Sequence, residues 1–522
     1  MKLFFKEKKE ILAATLSSSR VYVFLSIFLL AITLLPLFML CMYNHPSTFD
    51  DFVSFHSIKG GYDFTSIWRI GARYSTLPVS LPWHFSIQPT IQEIQHMLIF
   101  YRLYSVFFIL FFSFSVFFAL KQCNIYFLKI KRAAFFLFYS AVLFFLINSI
   151  GHFAYFFYDI ILTAGYTYGI CLILLFLGFF IKYHFAQKKK GYAAVLFLLA
   201  FIINGTMEYY PVLLGFILFV YFISLWIKKR EKAFFIIVLF LLCFFTALSY
   251  VYSPSVGGKV AAYSPGVSKP YTIQRFSVWF SDTCFYFVRN FLSYFSFKRL
   301  PFIVILSLIT AIVLKKRKYN VYGFYLILPY FIVTVMSFSL FFAGVVYVSE
   351  KTSSIVIFNL ILTINMLFTF TYIFQKIFFI FLRFTKKYNL TESVKKITDA
   401  SIHELSMYRT QFYIIISTVI ILYIGLVGVY KPGLPTRQAW KDVLKGTAVR
   451  YNVEVLNIYN KLSQSPEKDI TLTGIENIPE TLVVVTFWSF ERYKILPQDP
   501  DIYLAPFFNK DTIDIIMSND ID

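Results

Sequence analysis

Two adjacent carboxylates are the first residues whose types and spacing could do chemistry. Asp50 and Asp51 stand in Asn44-His45-Pro46-Ser47-Thr48-Phe49-Asp50-Asp51-Phe52, just after an apolar run that ends at Tyr43. Side by side at the exit from a bilayer, each raises the pKa of the other, and a low local dielectric adds to the rise. Such a pair suits a general base, or recognition of a sugar or a metal ion. The plain alternative is a solvated turn after Pro46, or a helix N-cap. His45 and His56 flank the pair, and a divalent cation, Mg or Mn, is the cofactor such a set would take. No metal-ligand spacing accompanies them, and the sequence requires no cofactor.

Other charged residues fall beside apolar runs. Arg69 and Arg73 lie four apart in a helix-like stretch whose Phe64, Ile67, Trp68, Gly71 and Tyr74 share the face of an interfacial helix. Two guanidiniums at that spacing can grip a phosphate, or lie among lipid head groups. Glu208 joins two short apolar runs in Asn204-Gly205-Thr206-Met207-Glu208-Tyr209-Tyr210-Pro211. An acid at that depth is a functional candidate, with a helix-start carboxylate as the alternative; Asp159 is a weaker one. Ser253-Pro254-Ser255-Val256-Gly257-Gly258-Lys259 is a turn whose backbone N–H groups could approach an anion. Lys259, Arg275, Arg289 and Lys351 complete the set of cations near the bilayer surface, where a polar rim is their other reading. No P-loop, GxGxxG, GxSxG or HExxH motif occurs.

The elements that must position these groups follow from composition. Of 522 residues, 58% are apolar, 21% aromatic and only 15% charged. Soluble chains carry about 45–50% apolar and about 25% charged residues. A soluble enzyme, a disordered chain, a collagen and a disulfide scaffold are excluded, which leaves a polytopic membrane protein. The five Cys (41, 123, 171, 243 and 284) stand singly, so no disulfide or zinc framework is visible. Eleven apolar stretches are candidate spans: 21–43, 97–120, 133–150, 162–181, 192–206, 209–227, 233–252, 301–314, 321–342, 354–382 and 411–430. The first is not expected to be a cleaved signal peptide, because Leu40-Cys41-Met42-Tyr43 offers no small-residue cleavage site.

Lys and Arg set the expected orientation. With a cytoplasmic N-terminus, the inside segments hold 28 basic and 6 acidic residues, and the outside holds 21 of each. The net charge of +22 therefore sits on the cytoplasmic face, where it serves topology and anionic lipid rather than nucleic acid. Three sizeable outer pieces result: loops 44–96 and 253–300, and the tail 431–522. In the second loop an aromatic stretch over 272–296 is expected to lie on or dip into the membrane. The division is thus a transmembrane domain over 1–430 and an extracytoplasmic domain over 431–522. The tail is expected to be small and α/β, with an amphipathic helix from Thr436 to Leu462 and short strands at 469–475 and 481–488. Its work would be to cover the outer cavity or contact an acceptor.

A cytoplasmic N-terminus, one span, then an Asp-containing outer loop with an interfacial helix resembles the GT-C superfamily of membrane glycosyltransferases. More narrowly, the chain resembles bacterial proteins related to the serotype-converting O-antigen glucosyltransferases. The residues that carry the resemblance are Phe49-Asp50-Asp51-Phe52, Trp68-x-x-Gly71-Ala72-Arg73-Tyr74, Asn204-x-x-x-Glu208, the Ser253-Pro254 turn ending at Lys259, and Lys351 before the tenth span. Ala72 separates Gly71 from Arg73 where adjacency is expected, and Lys259 and Lys351 stand where arginine is expected.

The resemblance implies an all-α, GT-C-like polytopic enzyme of the inner membrane, working on the cell envelope from its outer face. The donor would be a sugar on polyprenyl phosphate and the acceptor a surface polysaccharide such as O-antigen. Asp50 or Asp51 would take the proton of the acceptor hydroxyl. Glu208, Arg69, Arg73, Lys259, Arg275 and Lys351 would bind substrate, the cations holding the leaving phosphate. Two alternatives stand beside it. A glycan polymerase or ligase would lean on outer arginines, and a transporter or flippase would show inverted repeats and midplane charges.

Overall fold

Phe-, Leu- and Ile-rich runs leave no backbone group free to meet lipid, so helix is the form they must take. In the computed structural model, residues 19–46, 90–129, 131–150, 153–158, 160–185, 190–206, 209–227, 234–251, 304, 307–308, 311, 369–377, 379–380, 435–475, 478–479, 481–482, 505 and 508–516 are described. Seven of the expected runs appear as helices: α1 (Ser19–Cys41), α2 (Ile91–Cys123), α3 (Arg132–Ser149), α4 (Ile160–Phe185), α5 (Lys190–Asn204), α6 (Tyr209–Ile227) and α7 (Phe234–Val251). Single π-helical turns at Asn124–Leu128 and Ala154–Tyr158 follow α2 and precede α4. Among the described residues three helices are long and apolar enough to cross a membrane, Ser19–Cys41, Gln92–Leu128 and Thr163–Phe185; the other four are shorter and apolar. The described chain is mostly helical, in keeping with an α-helical membrane protein. The last four expected runs lie wholly or largely outside the described residues.

α2 begins six residues before its expected start. Thr90 caps it: its Oγ1 accepts from the Glu93 N–H at 3.2 Å, while the Thr90 N–H donates to the Glu93 carboxylate at 2.7 Å. This reciprocal pair satisfies two of the donors a helix start leaves open. With 33 residues, α2 is about 50 Å long and outreaches a hydrocarbon core of about 30 Å.

Packing runs α1 on α3, α2 on α4, α4 on α5, and α6 on α7. Gly169 lets the Tyr210 ring lie against α4, where any Cβ would overlap it, and the Tyr210 hydroxyl donates to the Tyr166 carbonyl at 2.5 Å. Asn44, Asn148, Tyr158 and Tyr166 mark one end of the bundle. The other end carries Lys182, whose ammonium sits 5.6–5.9 Å from the centroids of Phe118, Phe179 and Tyr192.

The tail adds helices α8 (Pro435–Leu444) and α9 (Thr447–Gln464) and a parallel pair, β1 (Asp469–Thr473) with β2 (Thr512–Ile516), in register Asp469 to Thr512. The single helix expected over Thr436–Leu462 is two. The break falls at Gly446, whose φ of 68° is the left-handed conformation glycine adopts without penalty. The strand expected at 469–475 forms over 469–473. Of that expected at 481–488, Thr481 and Leu482 are a turn and the rest lies outside the described residues. α8 packs on α1 and α3, and α9 on α2. Residues of the tail such as Ala439, Tyr451, Tyr459 and Ile513 belong to the same buried apolar cluster as the bundle.

Candidate functional site

The chain leaves α1 through Asn44, His45 and Pro46, the last described residues before the Asp pair. All three are held. Asn44, 1% exposed, donates from Nδ2 to Ser105 Oγ on α2 at 3.0 Å and to the Tyr158 carbonyl at 2.8 Å. The Pro46 carbonyl accepts from the Tyr459 hydroxyl of α9 at 2.8 Å. His45 is packed edge-on to Tyr451 and Tyr459, and its Nε2 lies 2.8 Å from Asn452 Oδ1.

Asn452 is the hub. Its side-chain oxygen also accepts from the Arg102 guanidinium of α2 at 2.8 Å. A guanidinium only donates, so the Asn452 atom is an acceptor and His45 Nε2 must carry the proton. His45 Nδ1 is then a bare lone pair. It is buried, as is Arg102 Nε, and neither has a hydrogen-bond partner among the described residues. Burial, and second the charge of Arg102, push the His45 pKa down to about 3 against the opposing pull of the Asn452 bond. His45 is therefore neutral at ordinary pH, and Arg102 is the charged group beside it.

The tail is tied to the same end of the bundle at two further points. The first N–H groups of a helix lack internal partners; at the start of α8, the Thr436 N–H and Oγ1 both donate to Asn148 Oδ1 of α3, at 3.2 and 2.7 Å. In α1, Pro36 has no N–H to give the Ile32 carbonyl, and the Trp440 indole of α8 donates to that carbonyl at 3.0 Å. Within the tail, the buried Asp442 carboxylate accepts from the Thr481 N–H at 3.1 Å and from Gln438 at 3.1 Å, which fastens α8 to the turn at 481–482.

Chemically, the junction offers a neutral imidazole, a guanidinium and an amide, all held by packing. Among the described residues no three His, Cys, Asp or Glu gather as metal ligands. Asp50, Asp51, Arg69, Arg73, Glu208, Lys259, Arg275 and Lys351 all lie outside the described residues. Glu208 falls between Thr206, which is fully buried, and the start of α6.

No family model, curated protein or solved structure matches this chain.

Arg102 and Asn452 are not among the site residues expected from the sequence. Arg102 carries a signal: it is an arginine within an apolar run. Asn452 carries none, because on an amphipathic helix an asparagine reads as solvated surface.

Proposed function

We propose that this protein is a multi-pass membrane glycosyltransferase. It moves a sugar from a polyprenyl-phosphate donor to a cell-surface glycan on the outer side of the cytoplasmic membrane. The full reading has eleven spans, a cytoplasmic N-terminus and an extracytoplasmic tail. Asp50 or Asp51 accepts the proton of an acceptor hydroxyl as its oxygen bonds to the anomeric carbon. The bond from that carbon to the donor phosphate breaks, and the polyprenyl phosphate leaves with the electron pair. Arg69, Arg73, Lys259, Arg275 and Lys351 steady that charge at head-group depth, and Glu208 binds sugar.

The observation that carries the reading is the anchoring of Asn44, His45 and Pro46 to α2, the Tyr158 turn and α9. A loop that presents a base needs a rigid root, since a misplacement of 1 Å can cost about a hundredfold in rate. Four residues of extended chain cover at most about 14 Å, which is the whole stretch from Pro46 to Asp50. The apolar, aromatic faces of the helices supply the second requirement, a surface compatible with a lipid-borne donor: Phe100, Phe107 and Phe114 of α2 are more than half exposed.

Surface glycans compared with and without the gene test the proposal. Loss of one sugar or side branch, restored by the gene on a plasmid, is the expected result. An unchanged glycan composition and linkage pattern contradicts it.

A further inference from the structure

On the side of α9 turned away from Asn452 lies a groove that the junction does not use. Nine residues separate Asn452 from Lys461, which at 3.6 residues per turn puts them on opposite faces. The groove has a volume of about 360 Å³ and runs between α9 and the end of β1. Ile458, Leu472 and Ile475 make an apolar floor, at most 8% exposed. Glu454, Asn457, Lys461 and Thr473 line it with polar groups. Its size lies at the low end of small-ligand sites.

The lining decides what fits. Among its described lining residues one carboxylate and one ammonium cancel, which favours a neutral occupant over an ion. An acid accepts hydrogen bonds, an ammonium donates them, and an amide and a hydroxyl do both. The complement is a neutral molecule with several hydroxyls and an apolar ring face to lie on the Ile and Leu floor. We infer that the groove between α9 and β1 binds neutral sugar units of the acceptor glycan, on the face of α9 opposite Asn452. The term acceptor rests on the glycosyltransferase reading; the binding of sugar does not.

The test uses the full-length protein in detergent micelles or nanodiscs. The probes are neutral glucose, galactose and N-acetylglucosamine oligosaccharides of two to six units, together with surface polysaccharide released from the producing cell by mild acid. Saturation-transfer NMR reads the contact and titration the affinity. Binding in the millimolar range or tighter is expected, weakened tenfold or more by Asn457→Trp, which fills the groove from an exposed position. Thr473→Trp is the second variant, and thermal unfolding confirms that both fold. No binding of any probe at 10 mM overturns the inference, as does binding that both variants leave unchanged. Binding present in a protein that transfers no sugar sinks the enzyme reading and leaves the groove standing. Transfer that proceeds with unaltered acceptor KM in both variants sinks the groove and leaves the enzyme.

Discussion

The indole N–H of Trp440 donates to the carbonyl of Ile32 at 3.0 Å, the acceptor in α1 that Pro36 deprives of its intrahelical donor. A proline in a membrane helix is tolerated where something else satisfies the freed carbonyl. Here that donor comes from the tail, more than 400 residues later in the sequence. The proline and the tryptophan are thus one device, joining the first helix to α8.

This device predicts an interaction energy between the two positions. Trp440→Phe removes the donor and should cost about 1 kcal/mol of stability, the loss expected when a part-buried carbonyl is left unpaired. Pro36→Ala restores an N–H to Ile32 and should recover part of that loss in the double variant. Thermal unfolding in detergent across the four proteins measures the coupling, and strict additivity contradicts the relationship.

Asn452 predicts a second outcome. Its oxygen accepts from both Arg102 and His45, so Asn452→Leu leaves a half-buried guanidinium and a buried imidazole N–H without their acceptor. A loss of about 1–3 kcal/mol is expected, the cost of leaving such groups unpaired. Asn452→Asp keeps an acceptor beside the guanidinium and should cost less. Unfolding midpoints in detergent check the order, and limited proteolysis reports whether Asn452→Leu loosens the 44–46 root.

His45 makes stability depend on pH. Its folded pKa of about 3 lies below the usual value near 6.5. Above pH 6.5 both folded and unfolded states are neutral there, and nothing is lost. As pH falls from 6.5 toward 3 the unfolded chain takes up a proton that the buried imidazole refuses, so stability declines by at most about 1.4 kcal/mol per pH unit. Arg102 on α2 is the charge facing it, with Tyr451 and Tyr459 of α9 as uncharged neighbours. His45→Gln should flatten the slope of unfolding midpoint against pH between 7.5 and 5. An identical slope in the variant contradicts the assignment.

Much of the helical bundle is written in composition. Lipid forces apolar runs into helices, so the positions of α1 and α3 to α7 differ from the expected runs by only a few residues. α2 started earlier because a capping box and a polar first turn extend a helix beyond its apolar part, and hydropathy does not see capping. The tail was harder. Its helix splits at Gly446 because the chain must turn, and a lone glycine inside an amphipathic pattern does not declare itself. β2 was unforeseen, since Thr512–Ile516 pairs in parallel with a strand some 40 residues earlier, a non-local choice that no local pattern specifies. The junction around Asn452 was illegible for the same reason: Arg102 and Asn452 are 350 residues apart. The proposed Asp, Arg, Lys and Glu site residues rest on sequence and resemblance.

Transfer by single-site variants tests the central claim most directly. Asp50→Asn and Asp51→Asn, each verified to fold, are assayed in membrane vesicles supplied with a polyprenyl-linked sugar and the surface glycan of the producing cell. The account predicts that the wild type transfers sugar and that at least one variant falls a hundredfold or more, the scale of a lost general base. Wild-type rates in both variants would contradict it.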